Sequence, residues 1–147
     1  AYLVLGNLML KLRQFEGAEK AYLTSRDMLA KPGRAGKQPA VAMVIYKLGC
    51  VEYGRSRYSE AAQHFRDSIS ISKLYEALPA EQARTQFMLA ESLRMGGKCV
   101  DSTEESVARE MVTNLMKAYH GLSGNPGHPI RCSTAADFDM FITTKYQ

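Results

Sequence analysis

One interval constrains this chain more than any other feature. Leu5-Gly6 recurs as Leu48-Gly49, 43 positions later, and the same shift carries Phe15 to Tyr58, Ala18 to Ala61 and Tyr22 to Phe65. A weaker copy follows at 41, taking Leu48 to Leu89, Gly49 to Ala90, Tyr58 to Cys99, Ala61 to Ser102 and Phe65 to Ser106. Self-similarity at such a period implies units that cannot bury their apolar faces alone and must stack on one another.

Each unit reads as two helices. Val41, Ile45, Leu48 and Val51 recur at helical spacing, Arg55-Ser56-Arg57 makes a short turn, and a second helix beginning at Tyr58 carries Phe65, Ile69 and Ile71. Gly6 and Gly49 leave room for the partner helix, Ala18 and Ala61 offer the matching small surface, and the aromatics fill the rest. The run Lys31 to Pro39, with two Pro and two Gly, reads as a turn between units, and Gly96-Gly97 as a break. Pro79 suits the first turn of a helix, where its missing N–H costs nothing.

The expected helices are 1–12, 15–30, 40–54, 58–75, 80–95 and 102–120. The expected fold is all-α, with three antiparallel helix pairs (about 1–38, 39–79 and 80–121) followed by a loop and a short capping helix within 122–147. That cap rests on Ser133 to Asp137 as a capping-box start and on the stripe Phe138, Phe141, Ile142, Tyr146.

Composition fits a folded domain. The chain has 147 residues, 46% hydrophobic and 23% charged, with a net charge of +4. That charge is too small for a dedicated nucleic-acid binder. Apolar runs fall short of the ~18 residues a membrane span needs, so no membrane partner is expected. Cys50, Cys99 and Cys132 are too few and scattered for a disulfide framework, which points to the cytosol, with the nucleus as the alternative. The start at Ala1, inside an expected helix, reads as a cut from a longer chain, leaving Tyr2 and Leu5 without the N-terminal repeats on which they would pack.

Tyr2-x2-Leu5-Gly6 leading to Ala18-x3-Tyr22, and Ile45-x2-Leu48-Gly49 leading to Ala61-x3-Phe65, resemble the tetratricopeptide repeat. Trp is absent, Met9 and Glu52 replace the aromatic after Leu-Gly, and the period exceeds the usual ~34. The longer period is similar to that of kinesin light chains and of the C-terminal arrays of fungal and bacterial nucleotide-binding signalling proteins. The segment Ala136 to Asp139 is similar to the closing segment of fungal proteins of that kind.

The resemblance implies a right-handed solenoid whose first helices line a concave groove. The implied groove positions are Leu3, Val4, Asn7, Leu10 and Lys11, then Met43, Tyr46, Lys47, Cys50 and Tyr53, then Arg84, Phe87, Met88, Glu91 and Arg94. Aromatics, Met and cations together suit a peptide with apolar anchors and acidic residues. The five positions of the family's chaperone-tail clamp hold Leu3, Asn7, Lys47, Arg84 and Met88, and only Asn7 matches, which disfavours that ligand.

No other motif carries chemistry. Gly33-x2-Gly36-Lys37 lacks the length, the Ser/Thr and the preceding strand of a phosphate loop. His120, His128 and Cys132 match no standard zinc spacing, so neither metal nor cofactor is expected. No nucleophile turn is recognisable, and the chain does not read as an enzyme. Arg13, Arg55, Arg57 and Lys98 mark turns that would align as a basic edge. The leading expectation is a protein- or peptide-binding scaffold. The alternatives are an intramolecular sensor or autoinhibitory array for an upstream domain and, more weakly, nucleic-acid binding by the basic edge.

Overall fold

In a computed structural model, residues 1–32, 38–75 and 79–97 are described, together with the helical positions Thr103, Ser106, Val107, Glu110 and Asn114. The described elements are all helical: α1 (Tyr2–Lys11), α2 (Phe15–Leu29), α3 (Gln38–Gly54), α4 (Tyr58–Ser72) and α5 (Pro79–Met95). The remainder of the third pair, Cys99, His120, His128, Cys132 and the capping helix lie outside the described residues. Among the described residues no helix is long and apolar enough to cross a membrane.

The sequence interval reappears in the backbone. Arg13 (φ 58°), Ser56 (φ 61°) and Gly97 (φ 69°) are the described residues with left-handed backbone, spaced by the same 43 and 41 positions. The first two turns close identically. Gln14 N–H donates to Met9 C=O at 2.9 Å and Arg57 N–H to Glu52 C=O at 2.9 Å, each satisfying a carbonyl at the end of the preceding helix. Pro39 is not part of the turn, as its sequence context suggested, but the second residue of α3. Proline is tolerated there because first-turn N–H groups have no intrahelical acceptor.

Within each pair, the glycine and the second aromatic meet. A Cβ on Gly6 would lie 2.5 Å from Tyr22 Cε1, and one on Gly49 would lie 2.7 Å from Phe65 Cε1. Ala18 and Ala61 are fully buried, so both helices present small surfaces at the crossing. Contacts from Gly17 to Met9 and from Gly6 to Tyr22 show α1 and α2 running antiparallel. The Tyr53–Tyr58 ring pair and the Ser68 Oγ hydrogen bond to Ala42 C=O (2.8 Å) show the same for α3 and α4.

Packing also runs between pairs. Phe15 rests against Gly54 of α3 rather than filling space in its own pair, and Tyr58 approaches Gly96 at the end of α5. Two apolar clusters result. Ala18, Tyr22, Val44, Leu48 and Val51 join α2 to α3, with Leu3, Met9 and Leu10 of α1 against them. Tyr46, Ala61, Ala62, Phe65, Met88, Leu89 and Leu93 join α3, α4 and α5. Each buried aromatic or large aliphatic side chain contributes about 1.5–3 kcal/mol. The core is therefore strung along the helix row. Direct contacts of α1 with α3, and of Tyr46 with Arg84, place the odd-numbered helices side by side.

Candidate functional site

The face shared by α1, α3 and α5 is where the expected groove residues must be judged. On α1, Lys11 is exposed and Asn7 half-buried, with Asn7 Oδ1 accepting a 2.8 Å hydrogen bond from the Tyr22 hydroxyl. Burial, and then the neighbouring Cys50, hold the Tyr22 phenol well above its ordinary pKa, so it remains a hydrogen-bond donor. Val44, Leu48 and Val51 cluster with Tyr22, which places α3 beside the Asn7–Tyr22 pair.

The middle of the face differs from expectation. Tyr46 (4% exposed), Met88 (8%) and Arg84 (9%) are buried, so they serve packing more than contact with a ligand. The reason is that α3 and α5 both pack on α4, and long side chains bridge the space between them. The Arg84 guanidinium lies 4.4 Å from the Tyr46 ring centroid, and that ring in turn meets Phe65 at 5.5 Å. Stacking of this kind hides a planar cation that Lys could not present flat. Met43 is half-buried beside Tyr46 and Arg84 in a crevice of about 20 Å³, room for a single water.

Besides Lys11, Asn7 and Met43, the accessible residues of the expected set include Lys47, Tyr53, Phe87 and Arg94. Lys47 is half-buried, its Nζ 5.9 Å from the Tyr46 ring. Cys50, Tyr53 and Phe87 pack, half-buried, on the same α3–α4–α5 cluster. Tyr53 also meets Tyr58 edge-on at 5.4 Å. Burial, Glu91 and Tyr58 raise its pKa, partly opposed by Arg94, so its hydroxyl stays protonated. Arg94 is exposed and grips Glu91 twice, Nε to Oε1 at 3.1 Å and a terminal nitrogen to Oε2 at 2.8 Å. The structure thus gathers Tyr53, Phe87, Glu91 and Arg94 at one end of the face, while Asn7 on α1 is held by Tyr22.

Two features were not singled out from sequence. Glu52 is buried at the α3–α4 turn, where Arg55 meets both its carboxylate (2.7 Å) and that of Glu19 (2.8 Å), while Arg57 stands 3.5 Å away. Its position after Leu-Gly, where the repeat resemblance asks for an aromatic, was the available signal. The second is a 420 Å³ surface groove between α4 and α5, lined by residues including Arg66, Ile69, Lys73, Gln86, Leu89 and Val107. Among the described residues no three His, Cys, Asp or Glu side chains are placed to hold a metal ion.

No protein-family model, curated protein or solved structure matches this chain.

Proposed function

We propose that this chain is a helix-pair repeat scaffold of the tetratricopeptide type, wound as a right-handed solenoid, that binds a peptide segment of a partner protein along the α1–α3–α5 face. The observation that carries the reading is the grouping of half-buried Tyr53 and Phe87 with the Glu91–Arg94 pair, with Lys47 one turn before Cys50 on α3. Aromatic anchors on rigid helices give contact area at low entropic cost, and adjacent cations select acidic residues in the ligand.

A fluorescence-anisotropy screen of peptides combining apolar and acidic residues tests it. Binding lost in Lys47→Glu/Arg94→Glu and in Phe87→Ala, and weakened by salt, supports the groove. Binding unchanged in those variants places the ligand elsewhere. A second reading, an array that restrains or senses for a nucleotide-binding or enzymatic domain of the same protein, is favoured by the exposed apolar side chains Val4, Leu5, Leu8 and Leu12 of the first helix and the residue after it.

A further inference from the structure

The groove between α4 and α5 lies apart from the α1–α3–α5 face. Its described lining comes from α4, from α5 and from positions Thr103 and Val107, with none from α1 or α3. At 420 Å³ it falls within the range of ligand sites, roughly 300–1,000 Å³. Ile69, Leu89 and Val107 supply apolar surface. Arg66 and Lys73, both exposed on α4 and at its end, supply positive charge, and among the described lining residues there is no carboxylate. Arg66 has other contacts as well.

One polar side chain in this lining stands out. Gln86 is 8% exposed, and among the described residues its amide has no hydrogen-bond partner. The other buried polar side chains nearby on α5 are satisfied locally: Thr85 donates to Glu81 C=O at 2.9 Å and Ser92 to Met88 C=O at 2.7 Å. The Gln86 amide is not sealed from solvent, so the little surface it keeps lies where Gln86 lines the groove. A buried amide left unmade is costly, so a group that completes it in the groove gains more than an ordinary surface contact would.

The amide also selects the chemistry of that group. It offers a donor and an acceptor together. A carboxylate or phosphate only accepts, whereas the N–H and C=O of an extended peptide residue do both. Arg66 and Lys73 stand seven positions apart, about 10 Å along a helix, which is the span of about three residues of extended chain. In such a chain alternate side chains point to opposite sides, so two acids flanking an apolar residue share one side. We propose that the α4–α5 groove binds a short extended segment of a partner protein with the pattern acid–apolar–acid. The central residue pairs its backbone with the Gln86 amide and lays its side chain against Ile69, Leu89 and Val107. The flanking carboxylates meet Lys73 and Arg66. This site is independent of the peptide groove on the α1–α3–α5 face.

Titration of the 147-residue chain with acetyl-Asp-Leu-Asp-amide, followed by nuclear magnetic resonance, tests it. The Gln86 side-chain N–H signals should shift and saturate. Affinity should fall about tenfold in Gln86→Met, which keeps the shape and removes the amide, and about fivefold in Lys73→Glu. N-methylation of the probe's leucine should weaken binding to the original chain and change it by less than about twofold in Gln86→Met. Gln86→Met should melt no lower than the original, because the amide it replaces has no partner to lose. Lower melting, or no shift at about 10 mM peptide, overturns the proposal. So does succinate or inorganic phosphate binding as tightly as the peptide, which would make the groove a simple anion site. Binding that appears only after Asp137→Asn/Asp139→Asn overturns it too, since the chain's own Asp137-Phe138-Asp139 would then hold the groove. A dimer that Gln86→Met dissociates does the same for a second copy. Lys47→Glu/Arg94→Glu should leave this binding within about twofold, so failure of one site is distinguishable from failure of the other.

Discussion

The Phe65 ring occupies the space that a side chain at Gly49 would need, with Cε1 only 2.7 Å from where a Cβ would stand. Phe65 is fully buried, held between Tyr46 and the small residues of α4, so its ring has nowhere to retreat. Gly→Ala inside a helix ordinarily gains up to about 1 kcal/mol from propensity. Here the overlap decides the sign. Gly49→Ala should destabilise by about 1–3 kcal/mol, read as a lower chemical-denaturation midpoint at unchanged slope.

Ser56 sits in left-handed backbone at the α3–α4 turn, where an L side chain costs about 1–2 kcal/mol. Its equivalent in the third unit is already Gly97. Ser56→Gly should therefore stabilise the chain by about 0.5–1 kcal/mol, after allowance for the extra freedom glycine gives the unfolded state. Arg13→Gly should gain less, because the Arg13 guanidinium lies 5.5 Å from the Phe15 ring centroid, a contact the substitution removes. Thermal melts of the two variants side by side check the order.

The Tyr22 phenol is held above its ordinary pKa in the folded chain by burial, then by Cys50. The unfolded chain releases that proton near pH 10, while the folded chain holds it to higher pH. The unfolded state thus binds fewer protons above pH 10, and stability falls as pH rises from there. Tyr53 shifts in the same direction and adds to the slope. Denaturation midpoints between pH 8 and 11 should decline, and Tyr22→Phe should flatten the decline. At neutral pH the same variant should lose about 0.5–1.5 kcal/mol with the hydrogen bond to Asn7.

Arg55 bridges Glu52 and Glu19, with side-chain exposures of 18% for the arginine and 7% for Glu52. Removing the bridge leaves Glu52 buried beside Arg57 alone, at 3.5 Å. Arg55→Ala should cost about 2–4 kcal/mol, and Arg55→Ala/Glu52→Leu should recover much of it, since a paired apolar replacement avoids the orphaned charge. A double-mutant cycle measures the recovery. Additive losses would mean that the carboxylate reaches water in the variant.

The burial of Tyr46 separates stability from binding on the α1–α3–α5 face. Tyr46→Ala should cost about 3–5 kcal/mol by opening a cavity against Phe65. Lys47→Glu, one residue on but half-buried, should cost only about 0.5–1 kcal/mol with its contact to the Tyr46 ring, far less than Tyr46→Ala, and affect ligand binding. Melting and anisotropy measured on both variants test the division.

Much of the helix layout was legible because it is local. Helical spacing in Val41 to Val51, the breaks at Arg55-Ser56-Arg57 and Gly96-Gly97, and the tolerance of a first turn for Pro79 all act within a few residues. The room that Gly6 and Gly49 leave for a partner helix was legible for a related reason, since the Leu-Gly pair recurs at one interval; which aromatic fills it came from the fold. Groove exposure was not. Tyr46, Arg84 and Met88 carry no mark that distinguishes them from Lys47 and Phe87, and their burial depends on how α3 and α5 both pack on α4 and on the stacking of Arg84 over Tyr46.

Backbone preference and residue size act within short segments, so the residues alone showed that the described chain forms helices, where they turn, and that Gly6 and Gly49 leave room for a partner helix. Helix packing, in contrast, set Phe15 on Gly54 of the next pair, gathered Glu19 and Glu52 at Arg55, and left Leu5 and Leu8 exposed while Leu48 and Val51 are covered. Those outcomes depend on which helix lies beside which. Equivalent residues in equivalent helices met different fates because a side chain is buried by its neighbours, not by its own sequence position.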